Sequence, residues 1–166
     1  MSEEVKGTAT HQRLIALLSD QGAHYRVVEH EATGKCEAVS EIRGTDLGQG
    51  AKALVCKVKG NGVKQHVLAI LAADQQADLS QLASHFGGSK ASLASPAEVD
   101  ELTACVFGAI PPFSFHPSLA LVADPLLFER FDEIAFNAGL LEKSVIMSSK
   151  DYLRIAQPEL VAFRRC

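Results

Sequence analysis

Residues 51–71 constrain this chain more than any other stretch. Ala51 to Val58 and Val63 to Leu71 are apolar runs of strand length, and Gly60-Asn61-Gly62 lies between them. Such a turn between apolar runs is a strong hairpin signal, because glycine and asparagine tolerate the positive φ that tight hairpin turns require. Side chains alternate between faces along a strand, so Lys52, Leu54, Cys56 and Val58 share one face. Centring the turn on Asn61 sets Ile70, Leu68, His66 and Lys64 opposite them. A lysine that begins an otherwise apolar face either stands partly buried at a pocket, where its ammonium can hold a carbonyl, phosphate or carboxylate, or snorkels to water.

Around the hairpin, segments of two periods alternate. Leu14, Ile15, Leu17 and Leu18 follow Thr10, a helix N-cap residue type, and Gly22 stands where that helix ends. His24 to Glu29 predicts a short strand. Cys36 to Ile42 predicts a helix capped near Thr33 and closed by Gly44 and Gly48. Asp78 to Phe86 is helical with Leu79, Leu82 and Phe86 on one side, and Gly87-Gly88 ends it. Ser95-Pro96-Ala97-Glu98 is a capping box with proline at the first helical position, opening a helix to Thr103. Cys105 to Ile110 is an apolar, strand-like stretch ended by Pro111-Pro112. Further strands are expected at Ser118 to Val122, Glu133 to Phe136 and Lys143 to Met147, and a last helix between Ser148 or Ser149 and Pro158. The expected fold is α/β: a mixed, largely antiparallel sheet flanked by helices, in one domain over residues 1–166.

Composition narrows the function classes. Lys plus Arg is 16 and Asp plus Glu is 20, a net charge of −4. A protein that wraps nucleic acid usually carries a basic excess, so extensive sequence-reading contact with DNA or RNA is not expected, a small local contact stays open, and DNA is not an expected partner. Cys36, Cys56, Cys105 and Cys166 form no CxxC pair and have no histidines at zinc-ligand spacing, so neither disulfides nor a metal is expected. Met1 to Lys6 lacks a signal-peptide core, and no stretch approaches the roughly 20 apolar residues of a membrane span. A cytoplasmic setting without a membrane partner is expected. No GxGxxG, GxxxxGK[ST], HExxH or GxSxG pattern occurs, and no cofactor is implied.

The candidate chemistry lies in a few places. Gly108 lets a ligand approach the backbone closely. Pro111 and Pro112 have no N–H, which leaves the N–H groups of Gly108, Ala109 and Ile110 to bind an oxyanion; a rigid surface turn is the competing account. His30 and His116 are candidate bases or ligand contacts. Cys56 and His66, meeting across the hairpin, would form a thiol–imidazole pair or else lie inert in the core. Lys57, Lys59 and Lys64 crowd the hairpin and, with Lys52, form either a phosphate-contacting patch or a solvated tip.

Taken in order, several short motifs resemble one family. They are Val28-Glu29-His30-Glu31-Ala32, Glu37-Ala38, Gly50-Ala51-Lys52-Ala53-Leu54-Val55, Gly108-Ala109-Ile110-Pro111-Pro112-Phe113 and Phe136-Asn137-Ala138-Gly139. The chain is similar to the YbaK/prolyl-tRNA-synthetase-associated domain family of free-standing aminoacyl-tRNA deacylases, and most to its YeaK-type branch. The resemblance implies a YbaK-like fold and hydrolysis of the ester between a small misattached amino acid, such as Ser or Ala, and the terminal ribose of a tRNA. It implies Lys52 as the pocket lysine and Gly108 and Ala109 as the carbonyl-binding loop. His30, Asn137 and Gly139 match residues near the pocket of relatives. Ile110, Pro111, Phe113 and His116 complete the expected substrate-binding set.

Relatives often carry Gly-Gly-x-Ser-Pro-x-Gly where this chain has Gly108 to Ser114, so bulk from Ile110 and Phe113 is expected to narrow the pocket. The implied nucleophile is a tRNA hydroxyl or an ordered water. The implied partners are the acceptor end of a mischarged tRNA, held weakly and transiently, and an aminoacyl-tRNA synthetase. A non-catalytic tRNA- or synthetase-binding module that keeps the pocket is the alternative.

Overall fold

The computed structural model describes residues 5–33 and 35–165, with the Cys36 side chain also outside the description. The hairpin predicted from sequence is its centre. Strand β2 (Ala51–Gly60) pairs with β3 (Val63–Ala72) along their whole length. Asn61 and Gly62 have φ of 54° and 80°, so they form a two-residue turn of the kind whose twist matches the strands.

The turn therefore pairs Gly60 with Val63, one residue away from a turn centred on Asn61. Lys52 faces Leu71, Leu54 faces Ala69, Cys56 faces Val67, and His66 faces Lys57. A one-residue slip exchanges the faces of a strand. Cys56 and His66 accordingly stand on opposite sides of the sheet, which removes the thiol–imidazole pair.

Both faces of the hairpin are covered, and so its strands read as apolar runs. On one face Ala51, Val55, Leu68, Ile70 and Ala72 join the main core with Leu14, Leu18, Ile134, Phe136, Val145 and Tyr152. On the other, Cys56, Val58, Val67, Ala69 and Leu71 pack with Leu82, Ala83 and Phe163. Full burial of one such Leu or Ile side chain contributes about 1.5–3 kcal/mol.

Strand β4 (Lys90–Leu93) pairs with the outer edge of β2, and β5 (Leu119–Ala123) and β8 (Glu159–Leu160) continue beyond β3 in parallel. The five-stranded order is β4-β2-β3-β5-β8. A second, antiparallel sheet has the order β1-β7-β6, from β1 (Tyr25–Glu29), β6 (Glu133–Leu140) and β7 (Lys143–Ser148). The α/β class with a mixed, largely antiparallel strand pattern holds, divided between two sheets. They touch where Gly50 bridges Ala135.

Among the described residues six α-helices flank the sheets: α1 (Thr8–Asp20), α2 (Cys36–Arg43), α3 (Leu79–His85), α4 (Pro96–Thr103), α5 (Leu126–Arg130) and α6 (Ser149–Ala156). Some of these helices start where the local signals were read, and two do not. Ser95 and Glu98 close the capping box of α4, Asp78 caps α3, and Ser148 caps α6. Thr10 is not the cap of α1; the helix starts earlier, after Gly7, and the Thr10 hydroxyl donates to Thr103 O. Helix α2 follows Lys35, and Thr33 Oγ1 instead accepts from the Lys35 N–H.

Cys105 to Ile110 forms no strand. Ala104 and Gly108 both have left-handed φ, 54° and 88°, and two such reversals fold the segment into turns. Among the described residues, no helix is long and apolar enough to cross a membrane.

Candidate active site

The pocket occupies an edge that the sheet leaves open. Strand β4 covers only Cys56 to Lys59 of β2, so among the described residues Ala51 to Leu54 have no strand paired along that edge. Four segments close over it: residues 50–54, residues 107–110, residues 135–137 of β6, and Val39 with Arg43 from α2. They enclose about 150 Å³, comparable to an engineered cavity that admits benzene and thus suited to a small side chain. The lining holds two cations, Lys52 and Arg43, and the Asn137 amide. Among the described residues it holds no carboxylate, thiol, hydroxyl or imidazole side chain.

Lys52 is half-buried, and its ammonium donates to Gln75 O at 2.7 Å. An ammonium has three donors, so two remain for a ligand. Asn137 is the hub of the site. It is 8% exposed, and its Nδ2 donates to Thr33 O at 2.9 Å and Gly108 O at 2.8 Å. Its Oδ1 accepts from Ser144 Oγ at 3.1 Å. Ser144 Oγ also lies 2.7 Å from His30 Nε2 and accepts from Arg43 Nη1 at 3.2 Å. His30 thus reaches the pocket through Ser144 and does not line it.

The oxyanion loop is held by its carbonyls. Asn137 takes Gly108 O, and the Gly139 N–H donates to Ala109 O at 2.8 Å. Gly139 sits at a β-bulge that shifts the β6–β7 register between Asn137 and Leu140. Its φ of 88° favours glycine, and an added Cβ would stand 3.0 Å from Gly7 O and His11 N. Gly7 in turn leaves no room: a Cβ there would fall 1.9 Å from Gly139 O. The start of α1 therefore wedges against the back of the bulge, and His11 Nδ1 donates to Ala138 O at 2.7 Å.

The expected N–H groups divide. Ala109 is fully buried, and its N–H donates to Val106 O at 3.1 Å. The N–H groups of Gly108 and Ile110, both pocket residues, have no hydrogen-bond partner among the described residues. Phe113 is buried in an aromatic cluster with Phe115, Phe136 and Tyr152, and the Tyr152 hydroxyl donates to Pro112 O at 2.7 Å. Pro111 is also buried, so these two residues anchor the loop rather than line the cavity. His116 accepts the Ser118 N–H on Nδ1 in the turn before β5 and does not line the pocket. Burial pushes the Cys56 thiol up to about 12, and it lies outside the pocket.

Arg43, Ser144, Val39 and Phe107 belong to the site without having been singled out in the sequence. Phe107, 81% exposed beside Gly108, had the one available signal: a large apolar side chain in a turn next to a candidate loop.

Because Asn137 satisfies two carbonyls and a buried hydroxyl, Asn137→Ala is expected to lower stability by about 1–3 kcal/mol. Urea unfolding of the variant beside the parent measures it. An unchanged midpoint would show that the amide is dispensable.

The family model and the curated relative point to one family, and the solved structures show its fold. A family model for the aminoacyl-tRNA editing domain matches residues 30–155. The chain is 84% identical over 165 residues to the multifunctional Ser/Thr-tRNA deacylase ProXp-y of Escherichia coli (strain K12), with 99% of each chain covered. A crystal structure of a protein proposed as a trans-editing enzyme for prolyl tRNA synthetase superposes with a TM-score of 0.79 at 23% identity, covering 99% of this chain and 100% of that one. The hypothetical protein APE2540 superposes with a TM-score of 0.82 at 17% identity, over 92% and 99% of the two chains. At these identities the two structures speak for the fold.

Proposed function

Because this chain belongs to the aminoacyl-tRNA editing domain family, we propose that its pocket removes seryl and threonyl groups from mischarged tRNA in trans. The protein is an aminoacyl-tRNA deacylase, a hydrolase of the ester between amino acid and terminal ribose. The observation that carries the reading is the pocket itself: among the described residues its lining offers two cations and two unpartnered backbone donors, and no nucleophilic side chain.

An aminoacyl ester is already activated, so positioning and oxyanion stabilisation supply most of the rate. Water, or first the neighbouring ribose hydroxyl, adds to the ester carbonyl carbon. The carbonyl oxygen takes up negative charge, which the N–H groups of Gly108 and Ile110 receive. Collapse breaks the bond to the ribose oxygen, which leaves with a proton, and hydrolysis yields the free amino acid and tRNA. Lys52 orients the ester or the terminal phosphate through its two remaining donors. Arg43 and His30 fix Ser144, which fixes Asn137, which fixes Gly108.

The small cavity supports small residues, with Ile110 as one wall and Phe107 at its border. The expectation of a small residue such as Ser or Ala and the relative's name both support the seryl group, and that name alone supports the threonyl group. Pocket size discriminates weakly, since one methylene is worth about 1–3 kcal/mol.

We read α1, which precedes the matched segment, as part of the same domain because Leu14 and Leu18 lie in the main core. The protein works in the cytoplasm beside translation, and a synthetase that supplies mischarged tRNA is its proposed partner.

The test is a deacylation panel of seryl-, threonyl-, alanyl- and cysteinyl-tRNA at micromolar enzyme. Multiple turnovers on the seryl and threonyl esters are expected. Stoichiometric retention of tRNA without turnover would favour the binding-module alternative, and no loss of any ester would overturn the proposal.

A further inference from the structure

The sheet register lines up three lysines that the pocket does not use. Lys59 on β2 is paired with Lys64 on β3 at one side and with Lys90 on β4 at the other. Residues directly opposite one another share a face with Cβ atoms about 4.5–5.5 Å apart. Three ammonium groups therefore stand in a row across the end of the sheet, and all three residues are exposed. None of them makes a salt bridge among the described residues. Lys57, the next cation inward, is different: it is bound by Glu98, which also holds His66. That carboxylate is engaged away from the row.

Like charges placed directly opposite one another destabilise a sheet. A chain with a net charge of −4 nevertheless keeps three together with no acid among them. Such an arrangement suits a polyanion that supplies the missing charge.

Position says which polyanion. Lys59 lies on the same face of β2 as Ala53 and Val55, and Ala53 lines the pocket. Six residues separate Lys59 from Ala53, about 20 Å at 3.3 Å per residue. A groove of about 390 Å³ covers the first part of that distance, as far as Val55 and Leu93, and shares Ala53, Leu54, Phe107 and Ile110 with the pocket; the Lys57–Glu98 pair lies between its end and the row. The one acid in that groove, Asp100, is paired with Lys6. A stacked strand rises about 3.4 Å per nucleotide, so a nucleic acid whose terminal ester sits in the pocket reaches the row after about six nucleotides.

We infer that Lys59, Lys64 and Lys90 dock the phosphate backbone of the tRNA acceptor stem while the groove carries the unpaired end to the pocket. This rests on the deacylase reading and extends it to a second contact remote from the ester.

The test replaces all three lysines at once, Lys59→Gln, Lys64→Gln and Lys90→Gln, with thermal unfolding to confirm the fold. Seryl-tRNA and seryl-adenosine serve as long and short substrates, and uncharged tRNA is titrated separately. KM for seryl-tRNA is expected to rise about tenfold in the variant. The slope of log kcat/KM against log salt becomes shallower by about 2–3, since each phosphate contact contributes roughly 0.7–0.9. Hydrolysis of seryl-adenosine stays the same. Equal KM and equal salt slope for the two proteins would overturn the docking surface while leaving the deacylase intact. If the parent hydrolyses neither ester, yet the variant binds uncharged tRNA about tenfold more weakly, the docking surface stands and the deacylase reading falls.

Discussion

Lys52→Ala is expected to lower kcat/KM for seryl-tRNA by about 100-fold, because losing the group that orients the ester misplaces it, and a displacement of about 1 Å commonly costs about 10²-fold in rate. Lys52 is the group to test first because its surroundings leave it poised rather than satisfied. Its stem is half-buried, one donor is held by Gln75 O, and two donors are left over. Lys52→Met separates charge from packing, since it keeps most of the apolar stem. The methionine variant should lose activity to the same extent while unfolding close to the parent temperature. Lys52→Arg is not expected to rescue, because the planar guanidinium presents its donors in a different geometry. Initial rates on seryl-tRNA for the three variants provide the measurement. A rate within twofold of the parent for Lys52→Ala would remove this residue from the site.

The second large effect concerns stability and lies far from the pocket lining. Asp124, 1% exposed, collects four donors at the end of β5. Its Oδ1 accepts from the Leu126 N–H at 3.0 Å and from Arg164 Nη1 at 2.6 Å. Its Oδ2 accepts from the N–H groups of Phe163 and Arg164 at 3.0 and 3.1 Å. One carboxylate thereby starts α5 and holds the C-terminal segment against the smaller core, where Phe163 is fully buried.

Removing the carboxylate leaves three backbone N–H groups without their acceptor, at about 1–3 kcal/mol for each that stays buried, while the partly exposed Arg164 guanidinium can turn to water. Asp124→Ala should therefore lower the urea midpoint by about 2 M, given slopes of 1–3 kcal/mol per molar for a domain of this size. Asp124→Asn keeps an acceptor but brings two N–H groups among existing donors, so it should fall between the two. A midpoint shift under 0.3 M for Asp124→Ala would show that the C-terminal segment is held by packing alone.

Local signals carried much of this fold. The Ser95–Glu98 box, the Asp78 and Ser148 caps and the central hairpin each depend on residues within a few positions of one another, and each formed. What escaped was set at longer range or by a single residue of register. A turn closing at Asn61-Gly62 rather than around Asn61 reassigned every cross-strand partner, and with it the fate of Cys56 and His66. Cys105 to Ile110 is apolar because parts of it are buried, not because it is extended; Cys105 is 2% and Ile110 7% exposed. Strands β4 and β8 and helix α5 are too short for their periods to show.

The site divides in the same way. Lys52 and Gly108 stand out from their neighbours in sequence, and both line the pocket. Asn137 came forward through family resemblance, and its role as hub emerges only when Thr33, Gly108 and Ser144 converge on it from three segments. Ser144 and Arg43 carry no local mark of function, since their meeting spans 101 positions of sequence.

The fit of Gly7 against Gly139 has a practical consequence for anyone seeking a smaller enzyme. The conserved-domain match begins at residue 30, which invites trimming the chain to that boundary. The backbone that steadies Ala109 O is itself braced by the start of α1, through a contact too tight for a single methyl group. Trimming there would take away the doorstop and leave the door: the pocket residues would all be present, but the bulge that holds Ala109 O would lose its brace.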